Sequence, residues 1–478
     1  MIAGGDTARP ETLVCESDWL ASRPFFYNTR NGRASHSIND VVDLAEIEFD
    51  PEGFNDYLDF GYCAFERTPL RDVRMLRFSS RLFAGPGGLR VEHLEDPAWE
   101  WLERRSTVDE VLEVASARVN EAAAEAEPDA DTIVPTSGGF DSRLIDVLLT
   151  DRRRVRAVTF GVSDDPARST EAVKAAELAR RLGMRWDLVP LGSFHRYLDE
   201  WDALFGVSTH AHGMYQIEFY RRMRERIPTG GLVLSGACGE RFAGVDRVVR
   251  SIPVLRDAAD GYTVFRYPNM SADARYSAFR SKRLGMTQLL ETTPRLRTEV
   301  LPRVVTVTRL RMVLLSYLLS VPASLGYPAK GPFLDIDLAM RMLTLPPEQR
   351  CDRRWQREFF AREGVDLETG AYSGDGRNTL NFRAMRQVPL KPLEVALLRE
   401  VVRPDYVRWI NRNVGPLGLP SELVWRLGET PGFRRGVELL QRTGIADRRE
   451  LAYNAYLTLK PIEALLRRRD RARRGETV

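Results

Sequence analysis

One stretch limits what this chain can fold into more than any other: residues 133–144, IVPTSGGFDSRL. An apolar run stops at Ser137, Gly138 and Gly139, presents Asp141 and Ser142, and resumes with helical spacing, which predicts a strand, a tight turn and a helix. Such a turn exposes the unpaired backbone N–H groups of a helix N-terminus, and with the helix dipole they favour a bound anion, most often phosphate. The glycines let the backbone approach an anion closely, and the Ser137 and Ser142 hydroxyls add donors. Asp141 is odd there. An acid beside a phosphate is repelled unless a cation lies between them, so Asp141 implies bridging Mg2+. The plainer alternative is a strand-to-helix turn in which Asp and Ser act only as caps.

The surrounding sequence places that turn in a repeating context. Between about 20 and 95, short alternating segments are punctuated by the turn pairs Asn31-Gly32 and Gly87-Gly88, which predicts a small, mostly β N-terminal unit, residues 1–98. Val108, Val111, Leu112, Ala115, Val119 and Ala122 then fall at helical spacing behind a Ser106 or Thr107 cap. Helices expected at about 141–150, 170–183 and 211–226 alternate with strands at 131–137, 154–162, 185–191 and 230–236. Alternation of this kind predicts an α/β fold with a doubly wound parallel sheet, whose ligands bind beyond the carboxyl ends of the strands. The Ser-Gly turns at 137 and 235 both fall at such ends. After about 270 the pattern is mainly helical, and residues 396–478 read as a helical, basic C-terminal extension.

Composition excludes several classes. A length of 478 residues allows two or three domains, and a net charge of +3 argues against a whole-molecule polyanion binder. Cys15, Cys63, Cys238 and Cys351 form no CxxC pair, so neither a disulfide framework nor a zinc site is indicated, and a reducing cytoplasm fits. Without a basic start before an apolar segment, or a run of about 18 apolar residues, the chain is expected to be soluble and cytoplasmic. There are only five lysines, at 174, 282, 330, 391 and 460, so a lysine within a site would stand out.

The turn lacks the endings of the Walker loop and of dinucleotide binders, and resembles the SGGxDS signature of PP-loop ATP pyrophosphatases, whose fold is of the adenine nucleotide alpha hydrolase-like type. Within them the chain is similar to asparagine synthetases and β-lactam synthetases. AVTFGV resembles their second strand, LVLSGACGERFAG (232–244) their SGxGxDExFGG loop, and PFLD at 332–335 their PFLD stretch, followed by LPPEQR. YLDFGY and its flanks resemble the closing strands of the family's class II glutaminase domain. The resemblance spans about 24–395 and implies an ATP-binding synthetase domain over 99–395. It implies ATP on Val134, Thr136, Ser137, Gly138, Gly139, Asp141 and Ser142, with Phe160 against adenine and Ser235 and Gly236 near the nucleotide. Mg2+ would lie on Asp141 and Glu240.

The pattern also breaks. Residue 2 is Ile, where the amidotransferases carry their nucleophilic cysteine, and half of the glutaminase unit is missing, so glutamine hydrolysis is not expected. Cys15 reads as a semi-buried thiol. The two usual positions of the amine base hold Ala237 and Pro328. Replacement catalytic groups are Tyr327, Lys330, His210 and His212, and Lys391 lies about where the family keeps a late lysine. The implied chemistry is an amide-forming ligase: a carboxylate becomes an acyl-adenylate and is captured by ammonia or an amine, in polysaccharide or natural-product biosynthesis. The partners would be a small-molecule or peptide carboxylate, an amine donor and an ammonia-supplying protein. Rival readings are a lasso-type peptide cyclase, a PP-loop RNA-modifying enzyme suggested by the tail RRRDRARR, and a catalytically silent nucleotide-binding protein.

Overall fold

The computed structural model describes residues 11–244, 255–265, 270–414 except 369 and 373, and 449–476, with isolated positions at 427, 432, 433 and 436. The N-terminal unit is built from two antiparallel three-stranded sheets. One runs β1 (Thr12–Ser17), β5 (Ser80–Gly85), β6 (Gly88–His93). The other runs β3 (Ala34–Ser35), β2 (Phe26–Asn28), β4 (Val73–Met75). The β5–β6 hairpin closes through Pro86-Gly87, and Gly88, at φ +98°, takes the left-handed geometry that this turn needs.

Between β3 and β4 lies helix α1 (Pro51–Phe60), capped by Asp50 and ended by Gly61 at φ +79°. Its residues 53–60 are buried nearly all round, because it is packed inside the main core rather than on a surface. Helix α2 (Val108–Ala124) starts with a reciprocal capping box: the Thr107 side chain accepts the Glu110 N–H and the Glu110 carboxylate accepts the Thr107 N–H. Thr107, not Ser106, is the cap.

The second half of the fold is α/β. Strands β7 (Thr132–Pro135), β8 (Val155–Thr159), β9 (Arg185–Leu188), β10 (Leu232–Leu234) and β11 (Ala329–Lys330) make one parallel sheet in the order β11-β10-β7-β8-β9. The chain moves outward from β7 to β9, then returns to the far side of β7 for β10 and β11. Right-handed crossovers therefore put the two sets of connecting helices on opposite faces, and the order reverses between β7 and β10. Helices α3 (Phe140–Leu148), α4 (Thr170–Leu182) and α5 (Met214–Arg224) lie close to their expected ranges. Strand β8 is shorter than expected. A side chain at Gly161 would meet the Pro166 carbonyl at 2.1 Å, so the chain has already folded back onto the 166–169 turn.

After β10 come a short helix α6 (Gly239–Ala243), helices α7 (Val300–Leu315) and α8 (Tyr317–Ser324), helix α9 (Arg354–Arg362) and the last helix α10 (Arg449–Arg473). The stretch Val300–Ser324, contrary to expectation, is long and apolar enough to cross a membrane by composition, but 72% of its most apolar window is buried inside the fold. Arg309 within it is held by Asp96 at 2.6 and 2.7 Å and by the Trp19 carbonyl at 2.9 Å, as a core helix requires of a buried cation. The core also crosses the expected boundaries at 98 and 396: Phe54 and Tyr57 of α1, Ile133 of β7, and Leu459 and Ile462 of α10 belong to one apolar cluster. Residues 415–448 of the expected C-terminal extension lie outside the described residues apart from the isolated positions above.

Candidate active site

The strand order puts both Ser-Gly turns at its reversal point. Strand β7 ends in Thr136-Ser137-Gly138-Gly139 and β10 in Ser235-Gly236, on adjacent strands, at the crevice where α/β sheets of this type hold ligands. Each turn is shaped by close contact. Gly138 has φ +64°, and a Cβ there would lie 2.3 Å from the Lys174 Cβ on α4. Only glycine meets both demands. The Ser137 N–H donates to Ser142 Oγ at 3.2 Å, and the Gly139 N–H donates to Ser137 Oγ at 3.2 Å, so the two hydroxyls fold the turn over the start of α3.

Behind the turn, the Thr136 hydroxyl donates to Asp146 Oδ2 at 2.9 Å, and the Thr159 hydroxyl donates to the Thr136 carbonyl at 2.5 Å. Asp146 is fully buried, and desolvation holds its carboxyl well above the ordinary carboxylate range, against the Thr136 hydrogen bond. Val134 is buried in β7, and Phe160, at the tip of β8, packs on Tyr215 and Phe219 with ring centroids 5.6 and 5.5 Å away.

Asp141 joins the two loops. Its Oδ2 accepts the Glu240 N–H at 2.8 Å, and its Oδ1 lies 3.2 Å from Arg353 Nη1. A Cβ on Gly236 would come within 3.2 Å of the Asp141 Cβ, and one on Gly239 within 2.8 Å of its Cγ. The second loop is therefore glycine-rich because it is pressed against this carboxylate. Desolvation pushes the Asp141 acid up to about 7, against the pull of Arg353, with the Glu240 charge adding to the rise. About a fifth of the side chain remains open to the crevice.

Mg2+ is usually held by one or two carboxylates together with substrate phosphates and water. Asp141 and the exposed Glu240 are such a pair on facing loops, and no group of three or more His, Cys, Asp or Glu side chains suited to a metal occurs among the described residues. The donor set fits a metal that arrives with phosphates rather than a resident one.

Cations missing from the sequence reading surround the turn. Arg143 is fully buried and donates to the Gly138 carbonyl at 2.6 Å and to Glu368 at 2.8 Å. Lys174 pairs with the same Glu368 at 3.1 Å. The guanidinium groups of Arg353 and Arg357 sit 4.8 and 4.9 Å from the centre of the Phe140 ring. The Trp355 indole donates to the Ala243 carbonyl at 3.0 Å, and Gly244 lies so close to the Arg350 carbonyl that a Cβ would be 1.8 Å from it, so segment 350–357 forms a third wall of the crevice. Lys174 could have been found by the scarcity of lysine. The arginines could not, because arginine is abundant throughout the chain.

The expected late-step residues do not converge on this crevice. Tyr327 is fully buried and its hydroxyl donates to the Ile227 carbonyl at 2.5 Å, so it is a core hydrogen bond. Lys330 gives its carbonyl to the Ser235 N–H, but its ammonium pairs with Glu125 at 2.8 Å, just past the end of α2. Lys391 is exposed, and its carbonyl accepts from the Tyr456 hydroxyl. His210 and His212 stack at 4.4 Å, and desolvation keeps both neutral, His212 at about 4. Ala237 is buried, and the Pro328 carbonyl accepts the Val233 N–H in the sheet. Elsewhere, a cavity of about 1030 Å3 is lined by Tyr262, Tyr276, Arg283, Tyr406, Trp409 and Arg412 among others, and shares no residue with the crevice.

No protein-family model matches the chain, and no curated protein matches it. Among solved structures it is similar to an NH3-dependent NAD synthetase from Campylobacter jejuni subsp. jejuni in complex with the nitrate ion, at 12% identity over 40% of this chain and 76% of that one, with a TM-score of 0.21.

Proposed function

We propose that this chain is an ATP-dependent, amide-forming ligase of the PP-loop type, similar to asparagine and β-lactam synthetases. The observation that carries the reading is the meeting of the Ser137-Gly138-Gly139 and Ser235-Gly236 turns at the reversal point of the sheet, with Asp141 wedged between them. The first N–H groups of α3 and the Ser137 and Ser142 hydroxyls bind phosphate oxygens, and Phe160 and the β10 loop flank the nucleoside.

Asp141 and Glu240 would hold Mg2+, which supplies charge neutralisation on the β- and γ-phosphates and makes pyrophosphate a better leaving group. A substrate carboxylate oxygen attacks the α-phosphorus as the bond to the β-phosphate oxygen breaks. An amine then attacks the acyl carbon, AMP departs, and the amine loses a proton. Arg143 and Lys174, tied to Glu368, hold the turn in place for the first step. The amine step lacks its usual base, since Ala237 and Pro328 have no ionisable side chain and the Tyr327 hydroxyl is engaged. That supports a specialised acceptor, an amine-bearing intermediate of polysaccharide or natural-product assembly, or the substrate's own amine as in a peptide cyclase.

The same two vacancies favour a second reading, a nucleotide-binding protein without transfer. RNA modification finds no support in the tail, whose Arg467, Arg468 and Arg469 pair with Glu394, Asp202 and Glu400 of the body. The test is ATP–pyrophosphate exchange across pools of carboxylic acids. Exchange that needs one acid and falls on the order of 100-fold in Asp141→Asn supports the ligase. ATP binding with no exchange from any pool would leave the second reading standing.

A further inference from the structure

The Asp141 carboxylate already has a cation, and it is part of the chain. Arg353 Nη1 lies 3.2 Å from Oδ1, with 18% of the Arg353 side chain and 20% of the Asp141 side chain exposed. The carboxylate itself has little room to move. Oδ2 is fixed by the Glu240 N–H, and Gly236 and Gly239 press on the Cβ and Cγ, so any exchange of cation at this acid has to move the arginine.

Arg353 is suited to move. The other cations at the turn are anchored to structural acceptors: Arg143 to the Gly138 carbonyl and Glu368, Lys174 to Glu368, and Arg357 to the Asp352 carbonyl at 3.2 Å. Among the described residues, Arg353 meets the Asp141 carboxylate and the face of Phe140, a ring it shares with the like-charged Arg357 and Arg143. Its backbone is also strained, since Asp352 and Arg353 are consecutive non-glycine residues at φ +53° and +55°, in the left-handed region that L side chains disfavour. Guanidinium groups gathered on one ring beside a helix N-terminus attract an incoming polyanion.

We propose that Arg353 is a resident counter-cation that blocks Asp141 to divalent metal until nucleotide phosphates draw it away, so that metal and nucleotide enter together. This rests on the reading of the turn as an ATP site. With no phosphate present, a divalent ion must displace Arg353 with nothing to receive it. With phosphate present, Arg353 exchanges one anionic partner for another, and Asp141 is released to the metal. When pyrophosphate leaves with its metal, Arg353 returns and closes the acid again.

The test uses the full chain and Mn2+ as the metal probe, titrated by electron paramagnetic resonance without nucleotide, alongside Mg2+-dependent ATP binding by calorimetry. Arg353→Gln is expected to bind Mn2+ about two- to fivefold more tightly than the wild type, the scale of one partly exposed ion pair, while its ATP affinity falls. Arg353→Lys, which keeps the charge, should stay near the wild type in Mn2+ affinity and restore part of the ATP affinity. Adding Asp141→Asn to Arg353→Gln should erase the Mn2+ gain. A merely structural arginine would weaken both ligands together. That result, or unchanged Mn2+ affinity in Arg353→Gln, overturns the proposal. Failure of the wild-type chain to bind ATP would instead overturn the nucleotide reading and the exchange built on it, with the Mn2+ titration still reporting whether Arg353 guards Asp141.

Discussion

Gly138 sits under two independent constraints, a left-handed φ of +64° and the Lys174 Cβ, which a new methyl group would meet at 2.3 Å. Gly138→Ala should therefore cost about 1–2 kcal/mol from the backbone alone, with more from the forced shift of α4, and should abolish ATP binding. Urea denaturation and calorimetry check the two halves, and a variant of wild-type stability would contradict the geometry. Gly138, Asp141, Ser137 and Ser142 were legible in the sequence because local backbone chemistry demands those residue types in that order. Arg353, Arg143 and Glu368 were not, since they reach the turn from elsewhere in the fold or look like every other charged residue in the chain. Tyr327 and Lys330 lie next to a vacant base position in the sequence, but the direction of each side chain is set by packing, toward the Ile227 carbonyl for one and Glu125 for the other.

At the scale of elements, α1 has the least ordinary electrostatics. Asp56, 1% exposed, accepts the Tyr262 hydroxyl at 2.8 Å, and desolvation pushes its carboxyl up to about 8, with Glu52 and Asp59 adding to the rise while Tyr262 and Arg67 oppose it. Because the folded value lies above the unfolded one of about 3.9, the native chain holds the extra proton between the two, and this group's stabilising effect fades as pH rises from about 4 toward 8. Asp56→Asn keeps an acceptor for Tyr262 and removes the titration, so melting temperature should fall less between pH 5 and pH 8 than in the wild type. Equal slopes in thermal melts would show that Asp56 is charged in the fold. No sequence pattern marks this acid, whereas the capping box at Thr107 and Glu110 was readable from spacing alone because capping is settled within one helical turn.

At the scale of the molecule, α10 is structural rather than an appended tail. The Tyr57 hydroxyl donates to the Thr458 carbonyl, and His195, kept neutral by burial at about 4, bonds the Tyr453 hydroxyl at 2.8 Å. Leu457, Leu459, Ile462, Leu465 and Leu466 are at most 2% exposed. At about 1.5–3 kcal/mol each, their burial rivals the whole net stability of a typical fold. Removing residues 449–478 should abolish the cooperative unfolding transition in calorimetry, while removing only 475–478 should leave it intact. A folded 1–448 chain would show that the core closes without α10. The strand-turn-helix at 133–148 and the alternation that predicts a parallel sheet are written in the sequence, because both follow from contacts within a few residues. The strand order, the wedge of Gly236 and Gly239 on Asp141, the Arg353 contact and the passage of one core through α1 and α10 emerge from the folded chain alone. Those depend on residues hundreds of positions apart, and what joins them is packing, which has no local signature.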